Sequence, residues 1–355
     1  MDSNIKNMVG EHPWIIFVFI LVFSTRVIGE DEIMEPQIDS KQSELTQKDF
    51  DRCILDQMGS GDDSRTLSEL REFCLSIIEE REITIGPISR RIISERRTQW
   101  NRHVLTAYDK NYILPYYYSD NPNTDVYSNS NDWAEGIKNE EVKFQISLKV
   151  PLTKKDILRT YDAVYFGFTV TSWWQLYASD LSAPFRETNY QPELFYITPL
   201  DWHLFGGNTG LQVGFAHQSN GRTQLLSRSW NRIYVAALYE KGNMAFSLRP
   251  WYRIPESPKE DPFSSEGDDN PDIDDYMGYF DFRGAYQASR QELSFMVRNN
   301  LRSDNRGALE VGYSFPLTGH LKGFVQYFFG YGDSLIDYNH RQHCFGIGIL
   351  LTDWL

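Results

Sequence analysis

Apolar and polar residues alternate through most of this chain. Val142, Phe144, Ile146, Leu148 and Val150 are separated by Lys143, Gln145, Ser147 and Lys149. Leu309, Val311, Tyr313 and Phe315 alternate with Ala308, Glu310, Gly312 and Ser314, and Val325, Tyr327, Phe329 and Tyr331 with Gln326, Phe328 and Gly330. At the C-terminus His343, Phe345, Ile347, Ile349 and Leu351 alternate with Cys344, Gly346 and Gly348. A period of two places one residue class on each face of a strand. Segments of this kind fall near residues 111–119, 142–152, 163–178, 189–201, 211–219, 229–241, 244–255, 275–288, 290–301, 306–317, 321–332 and 341–355. Strands of about ten residues with a dyad pattern and turn residues between them are the pattern of a lipid-facing barrel. The even count returns both termini to one side. The connections also alternate, from the tight turn Lys241-Gly-Asn243 to the long acidic stretch from Pro255 to Asp274. The pattern predicts an all-β fold over residues 104–355, a twelve-stranded antiparallel transmembrane β-barrel.

Composition fits this reading. The chain carries 21 Tyr and 9 Trp, yet its mean hydropathy is −0.48. A helical membrane protein is oilier, whereas a barrel has a polar interior and aromatic girdles. A soluble all-β enzyme shares the composition but does not need alternation sustained over lipid length. A net charge of −14 argues against nucleic acid as a partner, which requires a basic stripe.

The N-terminus points to export. Lys6 precedes the apolar run Trp14 to Phe23, and Val27 and Gly29 suit the −3 and −1 positions of a cleavage site. The run is too short for a membrane helix and fits a signal peptide over 1–29, with an uncleaved anchor as the alternative. Residues 30–103 form a charged, helix-prone, short periplasmic segment. Within it Cys53 and Cys74 flank the turn Gly59-Ser-Gly-Asp-Asp63, and both flanks open in capping-box spacing, Thr46 with Asp49 and Thr66 with Glu69. A disulfide-stapled helical hairpin is expected in an oxidising compartment; two small buried residues in a helical pair is the other reading. The basic run Ser89 to Arg97 reads as a solvated face or linker, with contact to acidic lipid head groups as the alternative. Cys344 lies in a strand and has no metal or catalytic spacing.

The candidate chemistry lies in one hairpin. His217 and Ser219, two residues apart on one strand, share the face that carries Val213 and Phe215. On the next strand Asn231 shares a face with Ile233, Val235 and Ala237, and antiparallel pairing brings it alongside. This supplies a nucleophile, a base and a group to orient the base. His-x-Ser alone recurs by chance and also suits an interfacial polar pair on a porin. Three polar residues on an oily face, however, cost burial energy and need a reason. Asn is neutral, so a cation near the oxyanion is the natural complement.

The stretches Ser172-Trp-Trp-Gln-Leu176, Ser182 to Leu194, His217-Gln-Ser-Asn-Gly-Arg222, Ser227-Arg-Ser-Trp-Asn-Arg232, Asp269-Asn-Pro-Asp272, Tyr276-Met-Gly-Tyr279 and Gly330 to Tyr338 resemble the outer membrane phospholipase A family. The resemblance covers about residues 105 to 355. It implies calcium-dependent hydrolysis of acyl esters of phospholipids and lysophospholipids (phospholipase A1 and A2 activity), at the outer face of the bacterial outer membrane, in a homodimer. Under the resemblance Ser219 is the nucleophile, His217 the proton acceptor, Asn231 the orienting group and the Gly221 N–H an oxyanion donor. Ca2+ would be held by the Arg222 carbonyl oxygen, Ser227, and Ser182 of the partner subunit.

Two positions depart from the family pattern. A second calcium site uses two Asp side chains; one matches Asp269, but the other position holds Gln224. Where some members carry a Gln at the dimer contact, this chain has Val170, so dimerisation would rest on packing there.

Overall fold

The computed structural model describes residues 86–355, except Asn131, Pro262 and Ser265, and isolated positions between Cys53 and Cys74. The expected signal peptide and most of the N-terminal segment lie outside the described residues. Cys53 and Cys74 are disulfide-bonded, with their Cα atoms 5.8 Å apart. The chain divides into two compact units between Ile78 and Glu79.

The second unit is a closed antiparallel barrel. Its strands are β1 (Thr106–Ala107), β2 (Asn111–Ser119), β3 (Glu140–Pro151), β4 (Ala163–Trp174), β5 (Phe185–Leu200), β6 (Asn208–Ser219), β7 (Ser229–Lys241), β8 (Met244–Ile254), β9 (Phe280–Ala288), β10 (Gln291–Asn299), β11 (Gly307–Pro316), β12 (Lys322–Tyr331) and β13 (Arg341–Thr352). Each strand from β2 to β13 pairs with its sequence neighbours, and β13 closes on β2 through pairs such as Ile347↔Tyr116. The two-residue β1 pairs with β3 beyond the end of β2, so twelve strands make the wall. Closure leaves no unpaired edge, which a wall in lipid cannot tolerate.

The alternation read from the sequence is the in–out pattern of this wall. Ile146, Val150, Val213, Phe215, Ile233, Val235, Phe345 and Ile347 are exposed on the outside. Lys143, Ser147, Gln212, Ser314 and Gln326 are buried on the inside. Inside, Lys143 pairs with Asp333 at 2.8 Å, and Arg186 bridges Glu141 at 2.9 Å and Asp337 at 2.8 Å. Aromatics fill between them, among them Trp173, Trp230, Phe324 and Phe328. Gly214 is required by this filling: a Cβ there would lie 2.6 Å from the Tyr234 hydroxyl. An interior cavity of about 270 Å3 remains, lined by Lys149, Gln191, Arg232 and Arg249 among others.

Three local expectations are corrected. Residues Ile273–Met277, read within a strand from 275, form a short helix whose Ile273 and Met277 are buried. The fifth strand begins at Phe185, not at 189. The basic run is not a linker, and only part of it, Arg90 and Arg97 included, is a solvated face. It lies in helix α1 (Pro87–Thr98), which opens with Pro at its first turn, where a missing N–H costs nothing. Arg91 of α1 donates to the backbone oxygens of Ala107, Tyr108 and Trp354; Arg96 donates to the Asp162 carbonyl, and Glu95 pairs with Lys149 at 2.7 Å. The helix is strapped to the end of the barrel that carries the tight turn Gly242-Asn243 and the C-terminus.

Candidate active site

The opposite end of the barrel carries the long connections, and the site lies on its outer wall. β6 and β7 are in register, with His217 directly opposite Asn231 and Ser219 opposite Ser229. Their inward neighbours Ala216, Trp230 and Arg232 are buried, so His217, Ser219 and Asn231 project outward, above exposed Val213, Phe215, Ile233 and Val235. His217 Nδ1 lies 2.9 Å from Asn231 Oδ1. An amide oxygen only accepts, so Nδ1 carries the proton and Nε2 is left as the basic atom. On its other side Ser219 is paired across the ladder with Tyr190 of β5, which in turn pairs with Val170 of β4.

The loop after Ser219 is built around one buried side chain, Asn220. Its Oδ1 accepts from the N–H groups of Arg222 at 3.2 Å and Arg228 at 3.0 Å, and its Nδ2 donates to the Leu226 carbonyl at 2.8 Å. This holds Gly221 at φ +63°, a left-handed conformation that glycine adopts without strain. The Arg222 guanidinium turns back to donate to the carbonyl oxygens of Phe185 and Arg186, which pins the loop to β5. The Ser227 hydroxyl donates to Asp269 Oδ2 at 2.7 Å. Ser182 lies exposed in the connection before β5, in a left-handed conformation at φ 59°.

The oxygen donors Arg222 C=O and Ser227 Oγ fit a hard divalent cation. Ser227 gives its proton to a carboxylate, which leaves its lone pairs free for a metal and makes Asp269 a supporting anion behind it. The second pair does not fit. Asp269 Oδ1 is 2.5 Å from Lys259 Nζ, so an ammonium already occupies the oxygen that a second cation would need, and Gln224 offers no charge. Among the described residues no cluster of three His, Cys, Asp or Glu side chains suits a metal.

Sequence reasoning missed three residues of this neighbourhood. Asn220 sits between two candidate residues but has no chemistry of its own. Lys259 lies in a long loop whose fold is set by distant ties, including Arg253 with Asp268 at 2.6 Å. Glu256 accepts from Asn231 Nδ2 at 3.0 Å. It continues the outward series Tyr252, Ile254 just past the end of β8, and that continuation was the available signal.

A closed, lipid-faced barrel with an imidazole, an amide and a hydroxyl on its outer wall defines a class of membrane-embedded hydrolase. The phospholipase A1 family model matches residues 88–351, and the chain belongs to that family. It is 40% identical to phospholipase A1 of Klebsiella pneumoniae over 71% of this chain and 84% of that one, and 39% identical to the Escherichia coli K12 enzyme over 71% and 83%. The structure of E. coli outer membrane phospholipase A superposes with a TM-score of 0.67 at 38% identity, covering 74% of this chain and 98% of that one. The same fold was solved for an E. coli active-site mutant with Asn replaced by Ala, and for a calcium-bound dimer of the Salmonella typhi enzyme, each with a TM-score of 0.67. The protein is a carboxylic ester hydrolase that acts on phospholipids, and its barrel places it in the bacterial outer membrane.

Proposed function

We propose that the protein hydrolyses acyl esters of phospholipids and lysophospholipids through Ser219, His217 and Asn231, with Ca2+ bound, when two barrels associate. The observation that carries this reading is the His217–Asn231 hydrogen bond on an otherwise apolar outer wall, two residues from Ser219.

In this mechanism the Ser219 hydroxyl attacks the ester carbonyl, and its proton passes to His217 Nε2. The Gly221 N–H donates to the oxyanion. His217 then returns the proton to the departing glycerol oxygen, which leaves an acyl-enzyme and a lysophospholipid. In the second half His217 deprotonates a water molecule, which releases the fatty acid and restores Ser219. Asn231 holds the imidazole in the tautomer that both halves need. Ca2+ on the Arg222 carbonyl, Ser227 and Ser182 of the partner subunit would supply positive charge beside the oxyanion. The site's second copy also has a steric purpose: the barrel's outer wall is convex, and a facing barrel would make the acyl-chain groove.

Exposure of Ser182 and the row of outward residues Val170, Tyr190 and Ser219 support this assembly. The dimeric, calcium-bound Salmonella typhi relative supports it further. Activity in mixed micelles should vanish on complete chelation with EDTA and return with added calcium. Undiminished hydrolysis in EDTA would remove the cation from the mechanism.

A further inference from the structure

The geometry points to Glu256 as a fourth member of the site, a positioning residue that acts on His217 through Asn231. The inference rests on the reading of Ser219, His217 and Asn231 given above.

Three adjacent strands contribute to one line of hydrogen bonds. His217 on β6 meets Asn231 Oδ1 on β7 at 2.9 Å, and Asn231 Nδ2 meets Glu256 Oε1, just beyond β8, at 3.0 Å. An ionised carboxylate only accepts. It therefore forces the amide of Asn231 to turn its NH2 outward to Glu256 and its oxygen to the imidazole. Without that acceptor the amide can flip and present NH2 to Nδ1, which would select the wrong tautomer. Asn231 pairs with Ile254, so Glu256 is held one outward step further along the same strand line. The following loop is tied down by Arg253 with Asp268 and by Lys259 with Asp269, so Glu256 is not on a free end.

The carboxylate also supplies what an asparagine lacks. Serine attack generates an imidazolium, and a neutral amide stabilises it only by its dipole. Glu256 places a negative charge behind that dipole, polarises it, and does so beside a lipid-facing wall where the local dielectric is low. The site thus obtains the charge of a carboxylate triad by relay through Asn231.

The test uses the purified full-length protein in calcium-containing mixed micelles, with E256A, E256Q and S219A. E256A loses both orientation and charge, and kcat falls roughly tenfold with KM little changed, the scale of one hydrogen bond to a charged group. E256Q can still present an amide oxygen to Asn231, so it recovers part of kcat. It cannot recover the charge, so the acidic limb of its pH–rate profile moves to lower pH, because the imidazolium is less stabilised. A structural role alone would not move that limb. Heat-modified gel mobility and circular dichroism verify that each barrel is folded. If folded E256A keeps wild-type kcat and pH profile while S219A is inactive, the relay is wrong and the serine site stands. If S219A itself retains hydrolysis, the site reading fails and the relay falls with it.

Discussion

The barrel has two polar regions, and they are built on opposite terms. The interior is crowded with charge, and its side chains are matched to one another. Lys143, with 4% of its side chain exposed, reaches Asp333 at 2.8 Å, and Asp333 also accepts from the Trp173 ring N–H and the Tyr117 hydroxyl at 2.8 Å. The outer wall at the end of β6 and β7 has few polar groups. They stand on an apolar strip, joined by single hydrogen bonds. The lesson is that titratable groups are densest where they satisfy each other and hold shape. In the proposed function, chemistry is sited where polar groups are few and face the substrate's own medium.

The largest test of this contrast is Ser219→Ala. Removal of the nucleophile should cost roughly 10^4-fold or more in kcat without loss of barrel stability, measured as fatty acid release and as unfolding in urea. Retained activity would move the chemistry elsewhere. The interior counterpart is Lys143→Ala, which leaves a buried carboxylate short of its cation. It should destabilise the barrel by about 3 kcal/mol in equilibrium unfolding and leave kcat near wild type in the folded fraction. A large kcat loss with unchanged stability would erase the distinction between the two regions.

Asn231→Ala should lower kcat by about 100-fold, since the base loses its fixed tautomer while the nucleophile remains. An effect confined to KM would show that Asn231 contacts lipid and does not orient His217. The smallest expected effect is at the dimer contact. Val170→Gln adds an outward amide and should strengthen association by about 0.6 kcal/mol, read as a shift in dimer fraction by sedimentation in detergent. No shift would place the association surface away from β4.

Much of this was legible in the sequence because the physics of a membrane wall is repetitive. Every second residue must be apolar, so strands such as β6 and β13 announce themselves. The same rule exposed His217, Ser219 and Asn231, which break it. What escaped reading was polar residues used in apolar ways. Arg186 and Glu187 open β5 and are almost fully buried, yet in sequence they look like loop charges, and the strand was expected to start later. Arg91 and Arg96 of α1 read as solvated because their acceptors include backbone oxygens contributed by other elements, those of Ala107, Tyr108, Asp162 and Trp354. Tyr276 and Met277 carry the aromatic and apolar character of a strand but cap the mouth of the barrel in a helical turn, and Tyr276 packs on Tyr331 and Tyr338. Glu256 lay one residue past the expected end of its strand, and only by extending the outward series Tyr252, Ile254 beyond that end could it have been reached.

The central claim is that an outward-facing serine on the wall of the barrel forms the acyl-enzyme. Labelling in calcium-containing micelles with a long-chain alkyl sulfonyl fluoride, followed by peptide mass spectrometry, tests it most directly. The account predicts a single stoichiometric adduct on Ser219 that is lost with EDTA and in His217→Ala. An adduct on another residue that abolishes activity, with Ser219 unmodified, would contradict it.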